Sequence, residues 1–192
     1  MREDRLATRV VEWAEATTDP TIVLEEPYDH YGNRGQVDVY LQTPPPPPRE
    51  YVIELKADAA VRRATGADEI LRQFRRAVRY FYRDESHEVR PRIGRTEPPI
   101  RFLLAFAPTV PCVTHAARHA PLYESIDPTG DTEGVASERR VAFLVGLDGA
   151  PGDLRMVSFN AGAGFDSEPF RAAVPDDSRL AEALNAADFD RS

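Results

Sequence analysis

The chain has 192 residues, of which 42% are hydrophobic and 29% are charged, values that are ordinary for a folded protein with one sizeable core. No apolar run approaches the roughly 18 residues of a membrane-spanning helix, and the N-terminus has no apolar signal core. The single Cys112 excludes an internal disulfide and a cysteine zinc cage, so the composition favours a cytoplasmic protein with no membrane partner.

The charge is unevenly distributed along the chain. A formal net charge of -8 normally argues against a nucleic-acid partner. From Arg49 to Arg101, however, 13 basic and 9 acidic residues give a local balance of +4, which leaves -12 for the remainder. A local basic surface of this kind is compatible with binding a polyanion.

The first residues of the chain predict a helix and a short strand. Over residues 3–17 the apolar positions recur at the three-and-four spacing of one helical face, occupied by Leu6, Val10, Trp13 and Ala14. Residues 21–26 predict a strand, and residues 27–34 contain Pro, Asp, Gly and Asn, which favour a turn or loop.

Two strands with period-two alternation follow, at about 36–42 and 50–57. In the first strand Val37 and Val39 share one face, which puts Asp38 on the other; in the second strand Glu54 and Lys56 share a face. If the strands pair, two carboxylates and an ammonium converge on one side of a hairpin, as a hydrolytic metal site requires. Lys56 is also the only lysine among the 24 basic residues.

The run Pro44–Pro48 lies between these two strands and cannot donate ladder hydrogen bonds. We interpret it as a stiff polyproline spacer. The alternative is a docking ligand for a protein partner.

A polar connection, Asp58 to Gly66, leads to the clearest amphipathic helix of the chain, predicted over residues 67–83. One side of this helix is apolar. The other carries Arg72, Arg75, Arg76, Arg79 and Arg83. One interpretation is a solvated face on which arginines pair with acids one turn away, as Arg72 can with Asp68 or Glu69. The excess of arginines over nearby acids is equally compatible with a phosphate-facing role.

The second half of the chain predicts buried strands at 100–107 and 141–147, and a hairpin return at 154–160. A weak helix is predicted at 113–120, residues 123–140 are loop-like, and Ser178 is expected to cap a last helix that ends near 187. The acidic tail, 188–192, is expected to fray. His115 and His119 lie one helical turn apart, but no third ligand supports a zinc site, and a solvated pair is the preferred interpretation.

This order of elements, with Asp38 in strand two and Glu54-x-Lys56 in strand three, resembles the restriction-endonuclease-like superfamily of PD-(D/E)XK nucleases. Gln73 in the following helix, with Tyr80 two turns later, is similar to the subset that includes exonuclease modules of recombination helicases. Val37 stands where the superfamily motif has Pro. Many relatives also have an acid in the first helix. Here Glu12 and Glu15 fall away from the apolar face and Glu3 lies at the helix end, so no residue is assigned.

The resemblance covers about residues 3–107 and implies a restriction-endonuclease-like core, α/β in class, with a mixed central sheet flanked by helices. Residues 108–192 would add C-terminal strands to a single domain.

The implied activity is Mg²⁺- or Mn²⁺-dependent hydrolysis of phosphodiester bonds in DNA. Asp38, Glu54 and the backbone carbonyl of Leu55 would hold the metal, because hard cations prefer oxygen ligands. Lys56 and Gln73 would assist the chemistry. Residues predicted to contact nucleic acid are Arg72, Arg75, Arg76, Arg79 and Tyr80.

Two other functions stay open. The first is a catalytically inactive nucleic-acid-binding or scaffolding module on the same fold. The second is a protein-interaction domain that uses the proline run and the acidic tail. A homodimer is compatible with either.

Overall fold

The computed structural model describes residues 1–30, 32–44, 49–63, 65–81, 100–132, 135–146, 154–160 and 166–187. It confirms the predicted α/β class: a mixed sheet of seven strands is flanked by helices. The strand order is β1-β2-β3-β4-β6-β5, and β7 also pairs with β6. The elements are α1 (Glu3–Thr17), β1 (Thr21–His30), β2 (Asn33–Gln42), β3 (Glu50–Lys56), α2 (Asp58–Val61), α3 (Gly66–Tyr80), β4 (Ile100–Phe106), α4 (Val110–Arg118), α5 (Ala120–Glu124), β5 (Thr129–Thr132), β6 (Val135–Gly146), β7 (Leu154–Ser158), α6 (Glu168–Arg171) and α7 (Arg179–Ala187).

The predicted helix at 3–17 is confirmed, and the one predicted at 67–83 is confirmed as far as Tyr80, because their apolar stripes meet the sheet; residues 82–83, with Arg83, lie outside the described residues. Leu6, Val10 and Ala14 of α1 are buried, and this helix contacts β3 and β7. Helix α3 packs against β1 and β2 through a stripe that includes Ile70 and Phe74. Burial of such side chains is worth about 1.5–3 kcal/mol each before the entropy of ordering them is subtracted.

The first hairpin corrects part of the predicted turn or loop at 27–34, because residues 27–30 and 33–34 are strand and Gly32 is a turn residue. Strand β1 continues to His30 and pairs antiparallel with β2 from Thr21–Gln42 to His30–Asn33. The chain reverses between His30 and Asn33, where Gly32 has the positive φ of 80° that tight hairpins require. Pro27 is tolerated because β1 is an edge strand of the sheet.

The middle of the sheet combines both strand directions. Strands β2 and β3 pair antiparallel, whereas β3 pairs with β4, and β4 with β6, in parallel. The parallel strand β4 is apolar over almost its whole length and buried, as strands covered on both faces are. The run 45–48, and with it most of the proline segment, lies outside the described residues.

The C-terminal half contains one further correction. Within the predicted loop 123–140, residues 129–132 and 135–140 are strands, because β5 and the first part of β6 pair antiparallel from Thr129–Glu138 to Thr132–Val135. The predicted hairpin between β6 and β7 is confirmed, with pairs from Ala142–Ser158 to Gly146–Leu154. The backbone N–H of Ala181 donates to the Ser178 hydroxyl at 3.2 Å, as predicted for the cap of α7. The tail 188–192 lies outside the described residues.

One continuous hydrophobic cluster includes side chains from Leu6 in α1 to Leu184 in α7. The division of the chain into a core and a C-terminal extension stays a prediction. In the described part of the chain, no helix is long and apolar enough to cross a membrane.

Candidate active site

Three polar side chains from two neighbouring strands meet where β2 separates from β3. Pairing of these strands runs from Gln42–Glu50 to Val39–Ile53, and Asp38 is the next residue of β2. The Asp38 carboxylate accepts a hydrogen bond from the Leu55 N–H at 2.6 Å. Alternation along β3 puts Glu54 and Lys56 on one face. Local period and hairpin pairing therefore place both carboxylates and the ammonium together.

These residues line a cavity of about 380 Å³ between the sheet and the helices α1, α2 and α3. Its lining includes the three strand residues Asp38, Glu54 and Lys56. The other lining residues are Glu3, Tyr28, Gly35, Gln36, Ala59, Ala60, Arg63, Gly66, Glu69, Ile70, Gln73 and Arg76. Negatively charged carboxylates and positively charged side chains thus line one concave site, which is typical of catalytic and binding sites.

Glu54 and Lys56 form a buried ion pair at the floor of this cavity. The Lys56 Nζ lies 3.3 Å from Glu54 Oε2, and each residue is only 6% exposed. Burial raises the pKa of Glu54 to about 7; Lys56 opposes this rise, and the neighbouring Asp38 adds to it. One ammonium does not fully neutralise the carboxylates around it.

The pKa of Asp38 is shifted by the same kinds of opposing effect. Burial raises its pKa above the ordinary value, while the Lys56 charge and the Leu55 N–H hydrogen bond lower it. Because the N–H and C=O of a strand residue point to the same side, the Leu55 carbonyl also faces β2. The carbonyl predicted as a metal ligand therefore faces the strand that carries Asp38.

Local backbone strain lies beside Asp38. Glu25 of β1 has a φ of 55°, a left-handed conformation that is uncommon for residues other than glycine. It falls between the pairs Leu24–Val39 and Glu26–Val37, at the position of the strand opposite Asp38. The charge of Glu25 also raises the pKa of Asp38. Strained residues of this kind cluster near functional sites.

Glu3 of the first helix is the acidic residue that sequence reasoning left unassigned. It lies at the rim of the cavity, where it remains largely exposed and interacts electrostatically with Lys56 and Asp38. Partial burial of its carboxylate raises its pKa, and Lys56 opposes this rise. The signal was the helical period: Glu3 precedes Leu6 by three residues and Val10 by seven, so it belongs to the stripe that faces the core.

Helix α3 places its predicted residues on different surfaces. Gln73 lies on the cavity wall, where its Nε2 donates to Glu69 Oε1 at 3.2 Å. Arg76 also lines the cavity. Arg72 is exposed and pairs with Glu69 at 3.6 Å, as the sequence allowed, and Arg75 donates to the Ser125 hydroxyl at 2.9 Å.

Arg79 and Tyr80 are the last two residues of α3 that were predicted to contact nucleic acid. Arg79 is exposed. Tyr80 is the last residue of α3, and its side chain lies outside the described part of the structure. The nucleic-acid contacts of α3 stay predictions.

The donor chemistry of the cavity fits a hard divalent cation. Its carboxylates supply the oxygen ligands that Mg²⁺ and Mn²⁺ prefer, and burial leaves their negative charge only partly compensated. Among the described residues, no three Asp, Glu, His or Cys side chains stand close enough to surround an ion. In this arrangement Glu54 contacts Lys56 instead.

The pair of His115 on α4 and His119, the residue that follows this helix, differs in part from its sequence prediction. His115 is not solvated: it is buried, and its Nε2 lies 2.8 Å from the Tyr123 hydroxyl. The His119 ring lies beside it, with centroids 4.7 Å apart and the ring planes tilted by 49°. Burial, and to a smaller extent the charge of the neighbouring His119, lowers the pKa of His115 to about 4. His115 therefore belongs to the buried core, His119 is only partly buried, and neither lines the cavity.

Comparison with known proteins supplies one match. The model of a family described as a PD-(D/E)XK nuclease superfamily domain matches residues 1–188 of the chain. This match includes the C-terminal elements, which the resemblance drawn from the sequence did not cover. Searches of curated proteins and of solved structures found no match.

Proposed function

Because the chain belongs to the PD-(D/E)XK nuclease superfamily, we propose that it is a metal-dependent nuclease that hydrolyses phosphodiester bonds in DNA. The family supports a nuclease-type function; the metal, the DNA substrate and the site residues are the parts we add. The observation that carries them is that Asp38, Glu54 and Lys56 line one cavity together with Glu3 and Gln73.

In this proposal Asp38 and Glu54 hold the metal, with Glu3 and the Leu55 carbonyl as further oxygen donors. A bound divalent ion would neutralise phosphate charge and lower the pKa of a coordinated water. Asp38 is oriented for this role because the Leu55 N–H fixes one of its carboxylate oxygens at 2.6 Å. The buried charge on both carboxylates makes the cavity attractive to a cation.

Lys56 would act as the cation that stabilises developing negative charge on the reacting phosphate. Its ammonium is a compact donor fixed 3.3 Å from Glu54 in a site that is mostly shielded from water. A shielded site strengthens such an interaction because the local dielectric is low. Gln73 would position water or a phosphate oxygen through its amide, since its side chain is anchored to Glu69 on the same wall.

The test is cleavage of labelled single-stranded, double-stranded and branched DNA, with RNA alongside, in Mg²⁺ or Mn²⁺. The wild type is compared with Lys56→Met, which keeps the apolar stem and removes the ammonium, and with Arg155→Gln, an exposed residue of β7. We expect a loss of at least a hundredfold in cleavage for Lys56→Met and none for Arg155→Gln.

Equal cleavage by Lys56→Met and the wild type would contradict the proposal. Binding of DNA without cleavage by a folded wild type would favour the inactive module on the same fold.

A further inference from the structure

Tyr28 and Arg76 form a polar pair on the wall of the cavity that Asp38 and Glu54 also line. Tyr28 belongs to β1 and is 5% exposed, and Arg76 belongs to α3. The Arg76 Cζ lies 5.9 Å from the centroid of the Tyr28 ring, within the range of a cation–π interaction. Two elements that are distant in sequence therefore bring a guanidinium and a phenol to the same wall.

Arg76 keeps unused donor capacity in this position. Its Nε is buried and has no hydrogen-bond partner, while the rest of the guanidinium interacts with the Tyr28 phenol through charge and hydrogen bonding. Arg72 and Arg75, on the same helix, pair instead with Glu69 and with the Ser125 hydroxyl. A buried guanidinium donor without a partner is costly, so this position indicates an anionic ligand.

Gly35 makes the position of the Tyr28 ring possible. The two residues are cross-strand partners in the β1–β2 hairpin. A Cβ at Gly35 would lie 2.2 Å from the Tyr28 Cζ and 2.3 Å from its hydroxyl oxygen, which no real contact allows. The ring therefore lies directly over the glycine. Any larger residue there would push it from the cavity wall, so the hairpin itself fixes this tyrosine.

We propose that Tyr28 and Arg76 form a phosphate subsite, which binds the backbone phosphate adjacent to the one that is cleaved. This inference rests on the proposed function for its substrate, a nucleic acid. The planar guanidinium binds phosphate oxygens, and the Tyr28 hydroxyl provides a second donor. The pair offsets the repulsion that Asp38 and Glu54 exert on a polyanion, because it supplies a positive wall across the same cavity.

The first test is the salt dependence of binding, measured without divalent metal so that cleavage plays no part. Fluorescence anisotropy follows a short labelled DNA strand and its duplex between about 50 and about 200 mM salt, where the slope reports the phosphates contacted. For Arg76→Gln we expect binding about tenfold weaker and a slope reduced by about 0.9 on the duplex and by about 0.7 on the single strand, the values for one phosphate contact. Arg155→Gln is the matched control and should leave both values unchanged.

Two conservative variants separate charge from geometry. Arg76→Lys keeps the charge and loses the planar fork, so it should restore the salt slope but not the full affinity. Tyr28→Phe keeps the ring and removes the donor, so it should weaken binding several-fold without changing the slope. Gly35→Ala should weaken binding at least as much as Tyr28→Phe, because it displaces the whole ring.

The second test locates the phosphate. A single uncharged methylphosphonate linkage beside the cleavage position should weaken binding by the wild type about tenfold, and should weaken binding by Arg76→Gln no further. If the linkage weakens DNA binding by Arg76→Gln by the same factor as binding by the wild type, the subsite is overturned.

An unchanged salt slope in a folded Arg76→Gln protein would also overturn the subsite, whether or not the wild type cleaves DNA. If only the proposed catalysis is wrong, the wild type would bind DNA in a manner that depends on Arg76 but would not cleave it.

Discussion

Replacement of Glu54 by Gln should remove a pH dependence of stability that the buried carboxylate creates. The pKa of Glu54 is raised by burial to about 7 from an ordinary value of 4.5. Between these two values the folded protein holds a proton that the unfolded chain releases. The free energy of unfolding therefore falls as the pH rises through this window.

The magnitude follows from the difference between the two pKa values. At about 1.4 kcal/mol per pH unit, the effect at high pH reaches at most about 3 kcal/mol, of which about 2–3 kcal/mol develops between pH 5 and pH 8. For a protein of this size about 3 kcal/mol corresponds to about 6–12 °C in Tm. Because Glu54 is only 6% exposed, solvent screening does not remove the effect.

The assay is urea or thermal unfolding of wild type and Glu54→Gln from pH 5 to pH 8, with EDTA present. The variant also loses the contact with Lys56, which shifts its stability overall. The informative quantity is therefore the change with pH and not the value at one pH. Glu15→Gln, an exposed position near the end of α1, is the control and should follow the wild type. Parallel pH profiles for wild type and Glu54→Gln would refute the argument.

The other predictions concern residues around the cavity and in the core. Glu3→Gln should raise the Mg²⁺ concentration for half-maximal cleavage about tenfold, as loss of a supporting ligand does; identical metal titrations would contradict its placement. Tyr123→Phe should cost about 1–3 kcal/mol in chemical denaturation, because it leaves the buried His115 Nε2 without its partner at 2.8 Å; a neutral effect would mean that water replaces the hydroxyl. Glu25→Gly should hold or raise the Tm while Glu25→Val lowers it, since a left-handed conformation costs a residue with a side chain about 1 kcal/mol or more; equal melting of both variants would exclude strain at this position.

Local patterns in the sequence were sufficient for the central hairpin. Asp38 and the pair Glu54 and Lys56 could be placed on their faces because side chains alternate strictly along a strand. The register of β2 and β3 then places these residues together at one end of the pairing. The helices α1 and α3 and the hairpin of β6 and β7 follow from equally local periods.

Local composition predicted loops at two segments that in fact form strands. In both cases hydrogen bonds to a neighbouring strand stabilise a segment whose own residues do not favour a strand. Residues 27–30 contain Pro and Asp, yet they form a strand because β2 lies beside them in register. Residues 129–132 and 135–140 are polar, yet β5, β4 and β6 satisfy one another's backbone groups. Hydrogen bonds between strands depend on neighbours distant in sequence, and propensity does not contain that information.

The sequence by itself determined the class of fold, the three strand residues of the cavity and the resemblance to the PD-(D/E)XK nuclease superfamily. Only the tertiary structure decided that Glu3 reaches the cavity rim, that His115 is buried against Tyr123, and that Tyr28 lies over Gly35 beside Arg76. The physical reason is the distance along the chain over which each rule acts. Alternation and helical period fix a side chain's face within its own element, but which faces meet is decided by packing between elements, where close contacts exclude all but a few arrangements.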